Sequence, residues 1–250
     1  MDKIAITIDY EFDWGGRVKS SYAIDYMLER VLDIANIHNS KFTFFISGET
    51  VKRTKHHILS IQSNSHEIAS HGFNHNIVYD KLTKDELKRE ICDSKNILED
   101  LTGNKIYGFR TPQFRKNRWN EELLLECGYR YDSSSVETDF LNRYKKNQHQ
   151  YEKITNFPVS TIYGKLPAGL KWINLFGNFV KSNNQIKVIY LHLFDLLSMK
   201  DILKLYDKSV INNIVLLFYL SRRGTVLKSF ESISKKSDTL INYLYEENAN

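Results

Sequence analysis

The sequence predicts an α/β protein with parallel strands at its centre and helices packed outside them. Three observations carry this reading. Short apolar runs rich in Val, Ile and Phe alternate with longer stretches whose apolar residues fall at helical spacing. The chain has 250 residues, a length that α/β barrels commonly fill as one domain. No fixed-period repeat, low-complexity linker or evident boundary interrupts the alternation, so residues 1–250 read as a single domain. A motif-bearing core covers 3–195 and a mainly helical extension covers 196–250.

The elements follow in order. Ile4 to Ile8 is a buried strand by its β-branched run, ending in acid. Ala23 to Asn39 is a helix, with Met27, Leu28, Val31, Ile34 and Ala35 on one face. Lys41 to Ile46 is a strand, Glu49 to Gln62 a helix, and Glu67 to Ser70 a short strand. Thr83 to Leu101 is the clearest helix: Thr83 and Glu86 form a capping box, and Gly103 supplies the stop. Tyr107 to Arg110 is a strand, Trp119 to Cys127 a helix, and Tyr129 to Asp132 a strand. The polar stretch Glu137 to Lys153 reads as a long loop or lid. Ile154 to Tyr163 holds one strand, Leu170 to Val180 a helix, Lys187 to His192 a strong strand, and the tail from Asp207 is helical by composition.

Bulk properties narrow the function. Hydrophobic residues make up 42% of the chain, enough for a sizeable core and against disorder. The net charge of +5 is dispersed apart from Lys52-Arg53-Thr54-Lys55 and Arg143-Tyr144-Lys145-Lys146. A nucleic-acid binder concentrates its charge in a stripe, so no nucleic-acid partner is expected. The basic runs read as solvated surface, with attraction to anionic glycan or lipid phosphate, and so peripheral membrane contact, as the functional alternative. The two cysteines, Cys92 and Cys127, lie in helical stretches and read as buried free thiols, which fits a reducing compartment. Met1-Asp2-Lys3 leads straight into a strand without a signal-peptide pattern. The apolar run Ile214 to Leu220 is far below the roughly 20 residues a span needs. A cytoplasmic protein is the expectation.

Five polar motifs stand at or near predicted strand ends: Thr7-Ile8-Asp9-Tyr10-Glu11, Ser70-His71-Gly72-Phe73-Asn74-His75, Arg110-Thr111-Pro112, Tyr131-Asp132-Ser133 and Leu191-His192-Leu193-Phe194-Asp195. Strand C-termini are where α/β barrels place their catalytic groups. His71 and His75, four apart, would share one face of a helical turn and grip one metal. Asp9 and Glu11, two apart on a strand, point to one side, so one can ligate while the other takes a proton from water. Asp13 is a further carboxylate able to take the place of Glu11. Arg110, on a turn stiffened by Pro112, suits holding a catalytic carboxylate ionised. His192 is a candidate general acid, with Asp132 or Asp195 to tune it.

These residues resemble the polysaccharide deacetylase family, also called the NodB-homology domain or carbohydrate esterase family four. The segment Ser65 to His75 is especially similar, and Phe42-Thr43-Phe44-Phe45, Gly108 to Pro112 and Tyr131-Asp132-Ser133-Ser134 are similar too. The resemblance runs from about Lys3 to Asp195. It implies a distorted (β/α) barrel of about seven parallel strands, TIM-barrel-like, and one divalent metal, commonly zinc. It implies removal of an N-acetyl group from an amino sugar, with a deformylase acting on a formamido sugar as a variant. Asp9 would be the base, His71 and His75 the ligands with Glu11, Arg110 the residue that orients Asp9, and His192 the acid. Asp132 is a loose match to the fourth motif. Backbone N–H groups near Gln113 and Phe114 would face the oxyanion. The expected partner is an amino-sugar glycan or a lipid- or nucleotide-linked precursor. The first motif departs from the family's commonest form, two adjacent aspartates, in having Glu11 two residues after Asp9. That spacing leaves room for a metal-independent hydrolase of a small cyclic amide; a separate alternative is an inactive glycan-binding or assembly protein, against which stands the completeness of the base, histidine pair, arginine and late histidine.

Overall fold

The structure, a computed structural model, describes residues 3–137, 154–176, 180–182, 184–205 and 226–249. Along the chain, β1 (Lys3–Tyr10) leads to α1 (Tyr22–Ile37), β2 (Thr43–Ile46) to α2 (Val51–Ser63), β3 (Glu67–Ser70) to α3 (Lys84–Thr102), and β4 (Gly108–Phe109) to α4 (Asn120–Glu126). Then come β5 (Tyr131–Asp132), β6 (Thr155–Asn156), β7 (Thr161–Ile162), β8 (Leu166–Pro167), α5 (Leu170–Phe176), β9 (Val180–Lys181) and β10 (Ile186–His192). The helices α6 (Met199–Leu205), α7 (Val226–Ile233) and α8 (Leu240–Ala249) follow.

Seven parallel strands form one sheet in the order β10-β1-β2-β3-β4-β5-β6, a half-barrel with helices against it, as the TIM-like expectation required. The edge strands β10 and β6 do not pair with each other. Between them Ser160 N–H donates to the Val188 carbonyl (2.9 Å), and Val188 N–H donates to Ser160 Oγ (2.9 Å). The antiparallel trio β8-β7-β9 is a separate small sheet. The apolar face of α1 (Ile24, Met27, Leu28, Val31 among others) is buried in one core with Ile6 and Ile8 of β1 and Phe44 of β2. No helix among the described residues is long and apolar enough to cross a membrane.

The capping box of α3 is present, with Thr83 Oγ1 accepting from Glu86 N–H and Gly103 ending the helix at φ 68°. Other expectations are corrected. The single strand over 154–163 is two, β6 and β7, separated by Phe157 to Ser160, which hydrogen-bond outward to Asp132, Ser133 and Val188. The helix from Leu170 stops at Phe176, and Val180 starts β9. Of the loop expected over 137–153, all but Glu137 lies outside the described residues; so does 206–225 of the tail, whose described remainder is largely helical.

The free-thiol expectation is also corrected. Cys92 and Cys127 form a disulfide, with Cα atoms 5.5 Å apart. The cause is lateral packing: α3 and α4 run side by side, linked by Lys84–Glu122 (2.6 Å) and Lys88–Glu126 (2.9 Å), and the next step along that seam brings the two sulfurs together. The thiol argument for a reducing compartment falls with it. Closing a loop of 35 residues contributes about 4 kcal/mol in the chain-entropy account. Cys92→Ser is expected to lower unfolding stability by about that amount, and urea titration of variant and wild type under non-reducing conditions measures it.

The N-terminal ends of the strands are covered by the C-terminal segment. Ile6 N–H donates to Ser237 Oγ (2.8 Å), Asp238 N–H to the Ile4 carbonyl (3.1 Å), and Leu240 N–H to Thr43 Oγ1 (3.0 Å). Glu67, half-buried, completes the seal: its carboxylate accepts from Ile241 N–H (3.0 Å), Thr43 Oγ1 (2.7 Å) and Tyr131 Oη (2.8 Å). Burial pushes this carboxyl up to about 7, against the hydrogen bonds from Thr43 and Tyr131 that oppose it. A raised carboxyl binds its proton more tightly folded than unfolded, so its contribution is full below the ordinary 4.5 and is lost as pH rises through about 7. His66, pushed down to about 4 by burial and by Lys41, has the opposite slope, which masks the effect in the wild type. The difference between Glu67→Gln and wild type isolates it. The variant is expected to gain up to about 3 kcal/mol on the wild type between about pH 4.5 and pH 7, read from urea unfolding across that range.

Candidate active site

The motifs converge at the C-terminal ends of the parallel strands. On β1 the side chains alternate, so Thr7, Asp9 and, just past the strand, Glu11 share one side while Ile6, Ile8 and Tyr10 take the other. Parallel register sets Asp9 beside His192 on β10 and beside Phe45 on β2. His71 directly follows β3, Arg110 follows β4, and Ser133 follows β5.

Arg110 has no exposed side-chain surface. Its Nη1 donates to Asp9 Oδ1 (2.7 Å) and to Thr7 Oγ1 (2.9 Å), its Nη2 to Ser133 Oγ (2.8 Å), and its Nε to the Ser133 carbonyl (3.1 Å). The guanidinium lies over the Phe45 ring at 4.1 Å. Four acceptors from two distant strand ends thus fix one charged plane against Asp9.

Glu11, His71 and His75 bring one ligand atom each within 4.8 Å of one another, and all three are buried. His71 Nδ1 lies 2.8 Å from the Arg110 carbonyl, and His75 Nδ1 lies 2.9 Å from the Gly15 carbonyl. A carbonyl only accepts, so both Nδ1 atoms carry hydrogen, and both Nε2 atoms turn inward. They meet Glu11 Oε2 at 3.4 Å from His71 and 2.7 Å from His75. Neither Glu11 oxygen has a hydrogen-bond partner, although both are buried. A buried carboxylate facing two ring nitrogens needs positive charge between them. A proton on one imidazole serves one contact, whereas a divalent cation serves all three donors, and two imidazoles with a carboxylate are a zinc-type donor set. The residues present therefore fit a metal.

Local structure differs from expectation in two respects. His71 and His75 are not on a helical turn: Gly72 adopts φ 68°, and the chain from His71 to Val78 is a loop whose turns bring the imidazole centroids to 5.3 Å. A Cβ at Gly72 would collide with the Tyr79 hydroxyl, so glycine is required. Asp13 does not join the ligands. Its carboxylate accepts from Ser20 Oγ (2.5 Å), Tyr22 N–H (2.9 Å) and Ala23 N–H (3.1 Å) at the start of α1.

His192 Nε2 lies 3.9 Å from Asp9 Oδ2 and 3.7 Å from Glu11 Oε1, and its Nδ1 lies 3.0 Å from Asp195 Oδ2. Asp195 also accepts from His192 N–H (2.9 Å). Burial pushes the imidazole down, but the Asp195 carboxylate, with Glu11 and Asp9, outweighs it and holds His192 up at about 9. Asp132 is engaged elsewhere: it binds Lys116 Nζ (2.6 Å), Ser134 N–H (3.0 Å) and Ser134 Oγ. Among the described residues the acid that meets His192 from its own strand end is therefore Asp195. Gln113 and Phe114 both adopt positive φ, 56° and 57°. Phe114 N–H donates to the Thr111 carbonyl (3.1 Å), which leaves Gln113 N–H as the candidate oxyanion donor. Sequence reasoning missed Thr7 and Ser133 as holders of Arg110 and the Gly15 carbonyl as partner of His75. For Thr7 a signal existed, the alternation Thr7-x-Asp9-x-Glu11.

A family model for polysaccharide deacetylase matches residues 2–131, just over half of the chain and the part that holds Asp9, Glu11, His71, His75 and Arg110. A peptidoglycan deacetylase of Helicobacter pylori is 26% identical over 133 residues, 53% of this chain and 45% of that protein, so the match spans less than half of the relative's length. In solved structures, a putative polysaccharide deacetylase from Mycobacterium smegmatis aligns with a TM-score of 0.62 at 19% identity, over 98% of this chain and 90% of that one. A carbohydrate esterase family four pseudoenzyme from Bacillus anthracis aligns with a TM-score of 0.52 at 15% identity, over 96% and 66%. These two likenesses are of fold. The family match, laid over the strand ends where the site residues converge, makes this chain a member of the polysaccharide deacetylase family.

Proposed function

We propose that the protein is a metal-dependent hydrolase that removes an N-acetyl, or N-formyl, group from an amino sugar. The observation that carries the proposal is the buried cluster of Glu11, His71 and His75, set beside the ion-paired Asp9 and the imidazole of His192. Glu11, His71 and His75 would hold the cation, with zinc matching the donor set. When bound, the cation supplies Lewis acidity to the amide carbonyl and to the attacking water.

The chain's own residues supply the proton transfers. Asp9, oriented by Arg110, takes the proton of the water nucleophile. His192, protonated at neutral pH through its pairing with Asp195, gives a proton to the departing amine nitrogen. The Gln113 N–H stabilises the developing oxyanion. Acetate and a free amino sugar leave.

The family membership and the name of the Helicobacter pylori relative support a glycan substrate, either a surface polysaccharide or its lipid- or nucleotide-linked precursor. A precursor on a lipid carrier would bring peripheral membrane contact. Pseudoenzymes exist on this fold, so the presence of every proposed group argues for activity more than the fold does. Acetate release from N-acetylglucosamine oligomers tests the proposal. Turnover that a chelator abolishes and added zinc restores is expected. Turnover that persists in chelator, or that is confined to small cyclic amides, would overturn it.

A further inference from the structure

We infer that Asp13 is a positioning residue for the metal site, acting through the loop between β1 and α1. The inference rests on the metal reading above. Asp13 closes the neck of this loop on both its backbone and its side chain. Its N–H donates to the Ser20 carbonyl (3.0 Å), its carbonyl accepts from Val18 N–H (3.2 Å), and its carboxylate takes Ser20 Oγ and the first N–H groups of α1. The apex beyond the neck, Trp14-Gly15-Gly16, runs through three successive positive φ angles of 57°, 71° and 70°. Such a path is unfavourable for Trp14, so it needs a neck that holds it.

What the apex delivers is the Gly15 carbonyl, 2.9 Å from His75 Nδ1. That contact decides which nitrogen of His75 faces Glu11. The apex also packs on the donors themselves: a Cβ on Gly15 would stand 3.3 Å from His75 Cε1 and 3.7 Å from Glu11 Oε1. Gly16 presents its carbonyl to Asn76 Nδ2, tying the loop to the residue after His75. On the far side Lys19 Nζ meets Glu49 Oε2 (3.4 Å), and Glu49 Oε1 accepts from His75 N–H (3.1 Å). The loop thus grips His75 from its ring and from its backbone, and Asp13 is the residue that keeps the loop shut. A carboxylate two residues beyond Glu11 is therefore kept for orienting a ligand and is not one.

The bland alternative is that Asp13 only caps α1. Co²⁺ binding separates the two, by affinity and by the visible spectrum of the bound ion. Asp13→Ala is expected to weaken Co²⁺ binding by about 10- to 100-fold and to change that spectrum. Asp25→Ala loosens the start of the same helix, where Asp25 holds Ser21 Oγ (2.9 Å), without opening the neck, and is expected to leave both as in the wild type. If Asp13→Ala does not fold, Gly15→Ala carries the test: it strains the apex at φ 71° and pushes on His75, and the same weakening is expected. Wild-type affinity and spectrum in folded Asp13→Ala, or in Gly15→Ala should the first not fold, would overturn the inference. A wild type that takes up no Co²⁺ would instead overturn the metal reading itself, and this inference with it.

Discussion

Asp9→Asn is expected to lower kcat by about 10²- to 10⁴-fold, the usual worth of a general base, while KM changes little. Asparagine keeps the shape of aspartate and still accepts from Arg110, so the pocket is preserved, but it takes up no proton. Asp9 is not among the three clustered donors, so metal content should be unchanged. The loss should therefore fall on the chemical step. Steady-state kinetics on metal-loaded variant and wild type measure it. A fall below about 10-fold would mean that another group takes the proton.

Arg110→Met is expected to destabilise the fold about as much as loss of the disulfide. The substitution removes the cation beside a carboxylate that is 96% buried and strips donors from Thr7 and Ser133. Breaking one side of a buried ion pair costs about 3–5 kcal/mol, because the remaining charge is left uncompensated. The double variant Asp9→Asn with Arg110→Met should recover part of this, since no unpaired charge remains. Urea unfolding of the two single variants and the double variant tests both statements. A loss under about 1 kcal/mol for Arg110→Met would put Asp9 in contact with water or another cation, against the geometry described.

Much of this site was legible because its signals are local. The period of two in a strand puts Asp9 and Glu11 on one side whatever the rest of the chain does. The run before His192 marks it as a strand end, and its partner Asp195 is only three residues away. The histidine pair was legible as a pair, but its local structure was not: four-residue spacing reads as helix until Gly72 is seen at φ 68°. What the sequence hid depends on register and lateral packing. Thr7 and Ser133 meet Arg110 only because β4 lies beside β5 and has just β2 and β3 between it and β1. Cys92 meets Cys127 only because α3 and α4 lie side by side. From β4 onward most strands are two residues long, too short for any alternation to show, which is why the single strand over 154–163 was misread. Asp13 looked like a ligand because carboxylate spacing carries no record of which helix start will claim it.

The central claim is that Glu11, His71 and His75 hold one divalent cation. The most direct test is the metal content of protein purified without chelator and then equilibrated with zinc, for wild type and for His71→Ala. About one ion per chain in the wild type, lost in the variant while its fold is retained, is the predicted result. A wild type that binds no metal even after zinc is supplied would contradict the account.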